Sequence, residues 1–379
     1  MVRQPVELLY NPIHGEGRGL AFHMKEISRK ESDGLLMIDR HIDHVSIVPA
    51  IAGETVNLFV REKVKARAEQ APVVLMVHGG YWPGTMAFDF DYKDYSWMSA
   101  MARAGFDVFA MDMTGYGFSS RPLMDDQRNL SKFDQAKLLS DPQPSGHPFN
   151  LVTSDSETDD INRVVDFICE LRGVNRVNLI GWSGGGIRTG TYTVRHPDKV
   201  ERLVIFASSN FVADSPSEPP TDIPGAGVAM SIQTRAVGEG ERWLPNVRCE
   251  GQLEDGLIDL IWPASMATDG VGAGWGPGCL RAPGRTYWGW NAANAVTINT
   301  PTLVMVGEYD RLYDSNVELF DALGADDKVF LGIDCASHFM AWEMQRHVLH
   351  RASIEWLTSG TLSEAKTGTY RADKTGEIR

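Results

Sequence analysis

Residues 177–186 read VNLIGWSGGG, an apolar run ending in a serine that has one glycine two positions before it and three directly after it. A linker does not open on VNLI, and an interior strand does not close on so many glycines. The stretch fits a buried strand that turns sharply into a helix, with Ser183 on the turn. A serine hydroxyl is a weak nucleophile and needs a base, a partner that orients the base, and donors for an oxyanion. In the pattern G-x-S-x-G the serine occupies a tight, strained turn, so Gly181 and Gly185 must be small for strand and helix to pass closely. The Gly184 N–H opens the helix, where the helix dipole also favours a developing negative charge.

Similar apolar runs flank this turn. PVVLMVHG (72–79), DVFAMDMTG (107–115), RLVIFASS (202–209), PTLVMVGEYD (301–310) and KVFLGID (328–334) are short and continuous, as strands buried on both faces are. Helix-length segments at 91–104, 155–172, 184–195, 315–323 and 340–357 separate most of them. The alternation predicts an α/β protein with a doubly wound, mostly parallel sheet and right-handed crossovers. Before it, HIDHVSIVPA (41–50) and TVNLFVREKV (55–64) alternate apolar and polar residues and predict an antiparallel hairpin. The first thirty-odd residues are expected on the surface.

Two stretches break this rhythm. Residues 116–153, rich in Pro, Asp and Ser, predict a long surface excursion. Residues 210–299 exceed any simple connection and hold Trp243, Trp262, Trp275, Trp288 and Trp290. They predict an aromatic-rich cap inserted over the C-terminal edge of the sheet. The expected organisation is a core of 1–209 and 300–357, a cap of 210–299, and a polar, mobile tail of 358–379.

The segment HGGYW (78–82) follows the strand PVVLMV and places glycines where a backbone N–H can turn toward the serine. The second oxyanion donor is then Gly80 or Tyr81. His78 at the loop's start is read as a brace rather than a base. The base is expected after the last strand, where CASHFMAWE supplies His338, and the acid after the preceding strand, where Asp310 stands at the junction. Asp314 and Glu308 are the alternative acids, while His347 and His350 are expected on the surface of the last helix. Together with DMTGYGFSS (112–120), these residues resemble the α/β-hydrolase superfamily over roughly 41–210 and 300–357. The oxyanion loop departs from the HGGG of many lipases. A serine nucleophile argues against the dehalogenases and epoxide hydrolases of this fold, which carry an aspartate there.

The net charge of −14, without a basic run interleaved with aromatics, excludes nucleic acid and anionic membrane surfaces as partners. No run is long enough to span a bilayer, and the N-terminus lacks an apolar signal region. The four cysteines show no zinc-type spacing, so no metal and no cofactor are expected. A cytoplasmic location with reduced thiols is expected, a Cys249–Cys279 bridge being the alternative. The oligomeric state stays open, a homodimer included. The expected reaction is hydrolysis of a carboxylic ester or lactone of an apolar or aromatic small molecule through an acyl-enzyme. Trp82 and Trp182, with the five cap tryptophans, are the expected substrate contacts. The same triad would serve cleavage of a C–C bond in a β-diketone or vinylogous acid, or acyl transfer. Outside enzymes, the fold would serve as a catalytically inactive ligand receptor.

Overall fold

The apolar runs assemble side by side in a computed structural model that describes residues 23–66, 71–209 and 211–379. An antiparallel meander of β1 (Met24–Ser32), β2 (Leu35–Val45) and β3 (Thr55–Lys65) leads into the sheet. There follow β4 (Val73–Val77), β5 (Asp107–Met111), β6 (Val177–Trp182), β7 (Val200–Phe206), β8 (Thr302–Gly307), β9 (Lys328–Ile333) and β10 (Gly368–Ala372). Among the described residues the sheet has ten strands, in the order β1-β2-β3-β5-β4-β6-β7-β8-β9-β10. β3 meets β5 antiparallel, and every pairing from β5 to β10 is parallel. All residues of β4, β5 and β6 are buried, which is why these runs show no alternation. The expected α/β class and parallel sheet are borne out.

Helices cover both faces. On one face lie α1 (Trp97–Ala104) and α6 (Arg346–Ser359), packing Trp97, Met101, Leu349 and Trp356 against Val74, Met76 and Ile180. On the other lie α2 (Ser154–Arg172), α3 (Gly184–Arg195) and α5 (Tyr313–Ala322), packing Ile161, Val165, Ile187 and Leu319 against Leu75, Val77 and Leu179. α2 shows why local sequence suffices for such an element. A reciprocal Thr153/Ser156 capping box starts it, Asp155 and Glu157 complement its dipole, and Gly173 at φ 64° stops it. Because β4 is central, with β5 on one side and β6 on the other, the chain reverses direction across the sheet there. Loops leaving the C-terminal ends of β4 and β6 therefore part around a crevice, where ligands of open α/β sheets bind.

Residues 211–299 bring Arg242, Asn246 and Arg285 to the crevice. An antiparallel pair, Met230–Thr234 with Cys279–Pro283, and α4 (Leu257–Met266) frame the segment. The excursion at 116–153 joins it instead of lying apart. Leu130, Leu151 and Val152 share a core with Met230, Ile232, Trp275 and Cys279, and Val152–Thr153 pairs in parallel with Arg285–Thr286.

Met24–Ser32 is a strand with no buried residue, so this part of the expected surface segment does lie on the surface, while residues 1–22 lie outside the described residues. Several expectations need correction. The tail after 357 is not a free end: α6 runs to Ser359, Leu362 is buried, and β10 pairs with β9. Its polar composition belongs to an edge strand that buries only Ala372. The disulfide joins Cys249 to Cys335, with Cα atoms 5.6 Å apart, and leaves Cys279 buried and free. The bond runs against the expected reduced thiols at these two positions. His350 is buried against the Trp97 ring, 5.7 Å away, rather than on the surface. Among the described residues no helix is long and apolar enough to cross a membrane.

Candidate active site

Ser183 stands between β6 and α3 with φ 58° and ψ −119°, a conformation that costs a non-glycine residue about 1–3 kcal/mol. Neighbouring strands hold it there. Its N–H donates to Phe206 O at 2.9 Å, and its carbonyl accepts the N–H groups of Gly186 at 2.9 Å and Ser209 at 3.1 Å. The glycines are steric necessities: a Cβ on Gly181 would collide with Gly185 O, and one on Gly185 with Val77 O. A Cβ on Gly79 would lie 2.7 Å from Ser183 Cβ and 3.1 Å from its Oγ, so the loop after β4 presses directly on the serine.

That loop is braced from beneath. His78 donates from Nδ1 to Gly79 O at 2.8 Å and accepts the Met113 N–H on Nε2 at 3.1 Å. Both ring nitrogens are occupied, and burial, with Arg188 nearby, holds the imidazole well below its ordinary pKa. His78 is a neutral brace. Arg188, fully enclosed, donates from Nη1 to His78 O at 2.6 Å and Gly79 O at 3.0 Å. Its other nitrogens reach Glu157 Oε1 at 3.0 and 2.7 Å. The D-x-x-G-x-G-x-S segment is a second brace, in which Asp112 accepts the N–H groups of Gly84 at 2.8 Å and Phe118 at 2.9 Å. Burial pushes its carboxyl up to about 6.

His338 follows β9, and its Nδ1–H donates to Oδ2 of Asp310, in the loop after β8, at 2.8 Å. The Asp310 side chain is fully buried, and its other oxygen accepts the Leu312 N–H at 2.9 Å. The alternative acids lie elsewhere: Asp314 is exposed on α5, and Glu308 pairs with Arg371 of β10 at 3.0 Å. Ser183, His338 and Asp310 line one pocket together with Gly79, Gly80, Tyr81 and Gly184. A hydroxyl, an imidazole and an orienting carboxylate beside backbone donors have the makings of acyl transfer.

The tryptophans divide. Trp82 and Trp182 line the pocket, and Trp182 Nε1 donates to His338 O at 3.0 Å, fixing the loop that carries His338. Trp243, Trp262, Trp275, Trp288 and Trp290 do not line it; they are buried in packing. Trp243 stacks on Phe339 at 5.1 Å, Trp275 lies under the Arg281 guanidinium at 5.1 Å, and Trp290 occupies the space a Cβ on Gly190 would need. Their composition signal was real, but it reports the cap's own cores and its seating on α3.

The pocket also contains side chains that sequence reasoning missed: Ser209, Arg242, Asn246, Arg285, Tyr309 and Arg311. Arg311, adjacent to Asp310, could have been found from the chain order. Arg242, Asn246 and Arg285 carry no local signal, because the cap brings them in from afar. A further unpredicted residue is Glu343, fully buried under the His338 loop. It accepts Trp243 Nε1–H at 2.8 Å, Gln252 Nε2–H at 3.1 Å, Ser337 N–H at 2.8 Å and the Ser337 hydroxyl at 2.5 Å. Glu343 and the Cys249–Cys335 bond both tie the cap to the loop carrying His338.

Residues 72–228 match a family described as "alpha/beta hydrolase fold". Over 308 residues the chain is 21% identical to the 2-hydroxy-6-oxononadienedioate/2-hydroxy-6-oxononatrienedioate hydrolase of Comamonas testosteroni, covering 77% of this chain and 90% of that one. A shorter stretch of 48 residues, 13% of this chain, is 44% identical to the poly(3-hydroxyalkanoate) polymerase subunit PhaC of Allochromatium vinosum but spans only 14% of that protein. Among solved structures, a thermophilic esterase from Thermogutta terrifontis superposes with a TM-score of 0.51 at 18% identity, over 84% of this chain and 98% of the other. The strand order, the glycine-hemmed turn at Ser183 and these likenesses agree: the chain has the α/β-hydrolase fold.

Proposed function

We propose that this hydrolase is a serine hydrolase that cleaves a carboxylic ester or lactone through an acyl-enzyme. The observation that carries the reading is the 2.8 Å His338–Asp310 hydrogen bond in the wall of the pocket that Ser183 enters. Ser183 Oγ attacks the carbonyl carbon while His338 Nε2 takes its proton. Asp310 keeps the Nδ1–H tautomer in place and stabilises the imidazolium that forms. The Gly184 N–H and that of Gly80 or Tyr81 hold the oxyanion. The proton on His338 then goes to the leaving alcohol, and water, deprotonated by the same histidine, releases the acid. Because each step lies within one constellation, Ser183→Ala is expected to lower kcat on p-nitrophenyl acetate by about 10⁴ or more with folding intact. A fluorophosphonate probe is expected to label the wild type and not the variant. Activity within tenfold of wild type would remove Ser183 from the mechanism.

A second reading, hydrolysis of a C–C bond with the same three residues, is favoured by the likeness to the Comamonas protein, named for hydrolysis of 2-hydroxy-6-oxononadienedioate and 2-hydroxy-6-oxononatrienedioate. Comparing a vinylogous 1,5-diketone with an aryl ester on the same preparation separates the two.

A further inference from the structure

The pocket holds more positive charge than its acids neutralise. Arg242, Arg285 and Arg311 line it, and among the described residues the one carboxylate in its wall, Asp310, is already committed to His338. A chain of net charge −14 has no general reason to gather guanidinium groups at one crevice.

Arg285 is the best placed of these. A Cβ on Gly184 would lie 3.2 Å from its Nη1, and one on Gly80 3.7 Å from its Nη2. The guanidinium thus lies beside the glycines that flank Ser183. It is firmly mounted. Its backbone pairs with Val152, its carbonyl accepts Asn150 Nδ2–H at 3.1 Å, and its guanidinium stacks 5.1 Å from the Tyr287 ring. Behind it, the nearest carboxylate oxygen is Glu157 Oε1 at 4.0 Å, which already accepts two hydrogen bonds from Arg188. Arg285 Nη1 is buried without a hydrogen-bond partner. One carboxylate therefore serves two guanidiniums, with neutral His78 adding none. A buried charge is costly unless it is fully paired, and Arg285, which has only a share of Glu157 at 4.0 Å, stands in the wall of the pocket.

We infer that Arg285 is the receptor for a substrate carboxylate, and that the pocket selects anionic substrates whose acyl half carries a carboxylate close to the reacting carbonyl. The fork of Arg285 would take the carboxylate with paired N–H donors. Its position beside Gly80 and Gly184 favours a carboxylate close to the reacting carbonyl. Arg242, which donates to Gln233 Oε1 at 2.7 Å, and Arg311 supply attraction from the rim. This inference rests on the acyl-enzyme reading and replaces the expected apolar or aromatic substrate with a short diacid half-ester or a comparable anion.

The test compares ethyl hydrogen succinate with neutral ethyl methyl succinate, followed by pH-stat titration with wild type, Arg285→Gln and Arg285→Lys. Wild type is expected to favour the anionic ester in kcat/KM by a factor on the order of 10². Arg285→Gln should collapse that ratio toward one, and Arg285→Lys should restore part of it. A loss equal on both esters, or a wild-type preference for the neutral ester, would overturn the inference and give Arg285 a structural or oxyanion role. Calorimetric titration of succinate into Ser183→Ala keeps this distinct from the acyl-enzyme reading. Binding that disappears in Ser183→Ala/Arg285→Gln supports the receptor even if Ser183 proves not to be the nucleophile. Binding that persists there overturns it.

Discussion

Replacing Glu343 by glutamine should show how tightly the cap and the base loop are coupled. All four partners of this carboxylate are donors: Trp243 Nε1–H and the Ser337 hydroxyl on Oε1, and Gln252 Nε2–H and Ser337 N–H on Oε2. A glutamine keeps the shape but must turn its NH₂ toward one pair. On the Oε1 side the Ser337 hydroxyl could rotate to accept, leaving the Trp243 N–H facing a donor. On the Oε2 side Gln252 cannot flip its amide without losing the bonds its Oε1 accepts from Arg248 N–H at 2.8 Å and Cys249 N–H at 3.2 Å. Either way at least one buried N–H is orphaned, at about 1–3 kcal/mol, and the remaining bonds lose charge assistance worth about 1 kcal/mol each. Burial already raises the Glu343 pKa, so removing its charge offsets part of this. The expected net loss is about 2–4 kcal/mol, measured by urea unfolding with tryptophan fluorescence. Because Ser337 precedes His338, kcat on a small ester should fall on the order of tenfold with KM little changed. Stability within 0.5 kcal/mol of wild type would show that this network does not join cap to core.

Asp310→Asn should reduce kcat by about 10²–10⁴ while Asp314→Asn leaves it near wild type, read with p-nitrophenyl acetate; the reverse order would assign the acid to Asp314. Trp243→Ala and Trp290→Ala should each cost about 3–5 kcal/mol of stability by leaving core cavities, with the ranking of ester substrates unchanged. A shift in that ranking without loss of stability would return these residues to the pocket. Burial lowers the His350 pKa to about 3, so below about pH 6.5 the unfolded chain takes up a proton that the folded state refuses. Stability from this group is therefore full above pH 6.5 and lost as pH falls. His350→Phe should gain on wild type by about 1.4 kcal/mol per pH unit between pH 6 and 4 in urea titrations; parallel curves would contradict it.

Much was legible in the chain because it depends on neighbours in sequence. Continuous apolar runs mark strands buried on both faces, and all of β4, β5 and β6 are so buried. The turn at Ser183 announced itself because only glycine leaves room for the close approach of β6, α3 and β4. The α/β class, the parallel sheet and the resemblance to the α/β hydrolases followed from these local features. His338 and Asp310 could be singled out because chain order in a parallel sheet dictates which loops emerge beside the serine; their 2.8 Å contact is the structure's contribution.

The tertiary structure alone decided whatever depends on groups brought together from distant parts of the chain. Composition marked the cap tryptophans as unusual, but only packing shows that they fill cores while Trp82 and Trp182 reach the pocket. Cys249 meets Cys335 across 86 residues, a pairing no spacing rule selects. Edge strand β10 hid behind a polar composition because an edge buries little of itself. Arg285 gives no sign of its role in sequence. Its meaning arises where the cap strand meets Val152, over Glu157 and beside Gly80 and Gly184, since a charge is costly or useful according to what surrounds it, and that is settled by contacts in space.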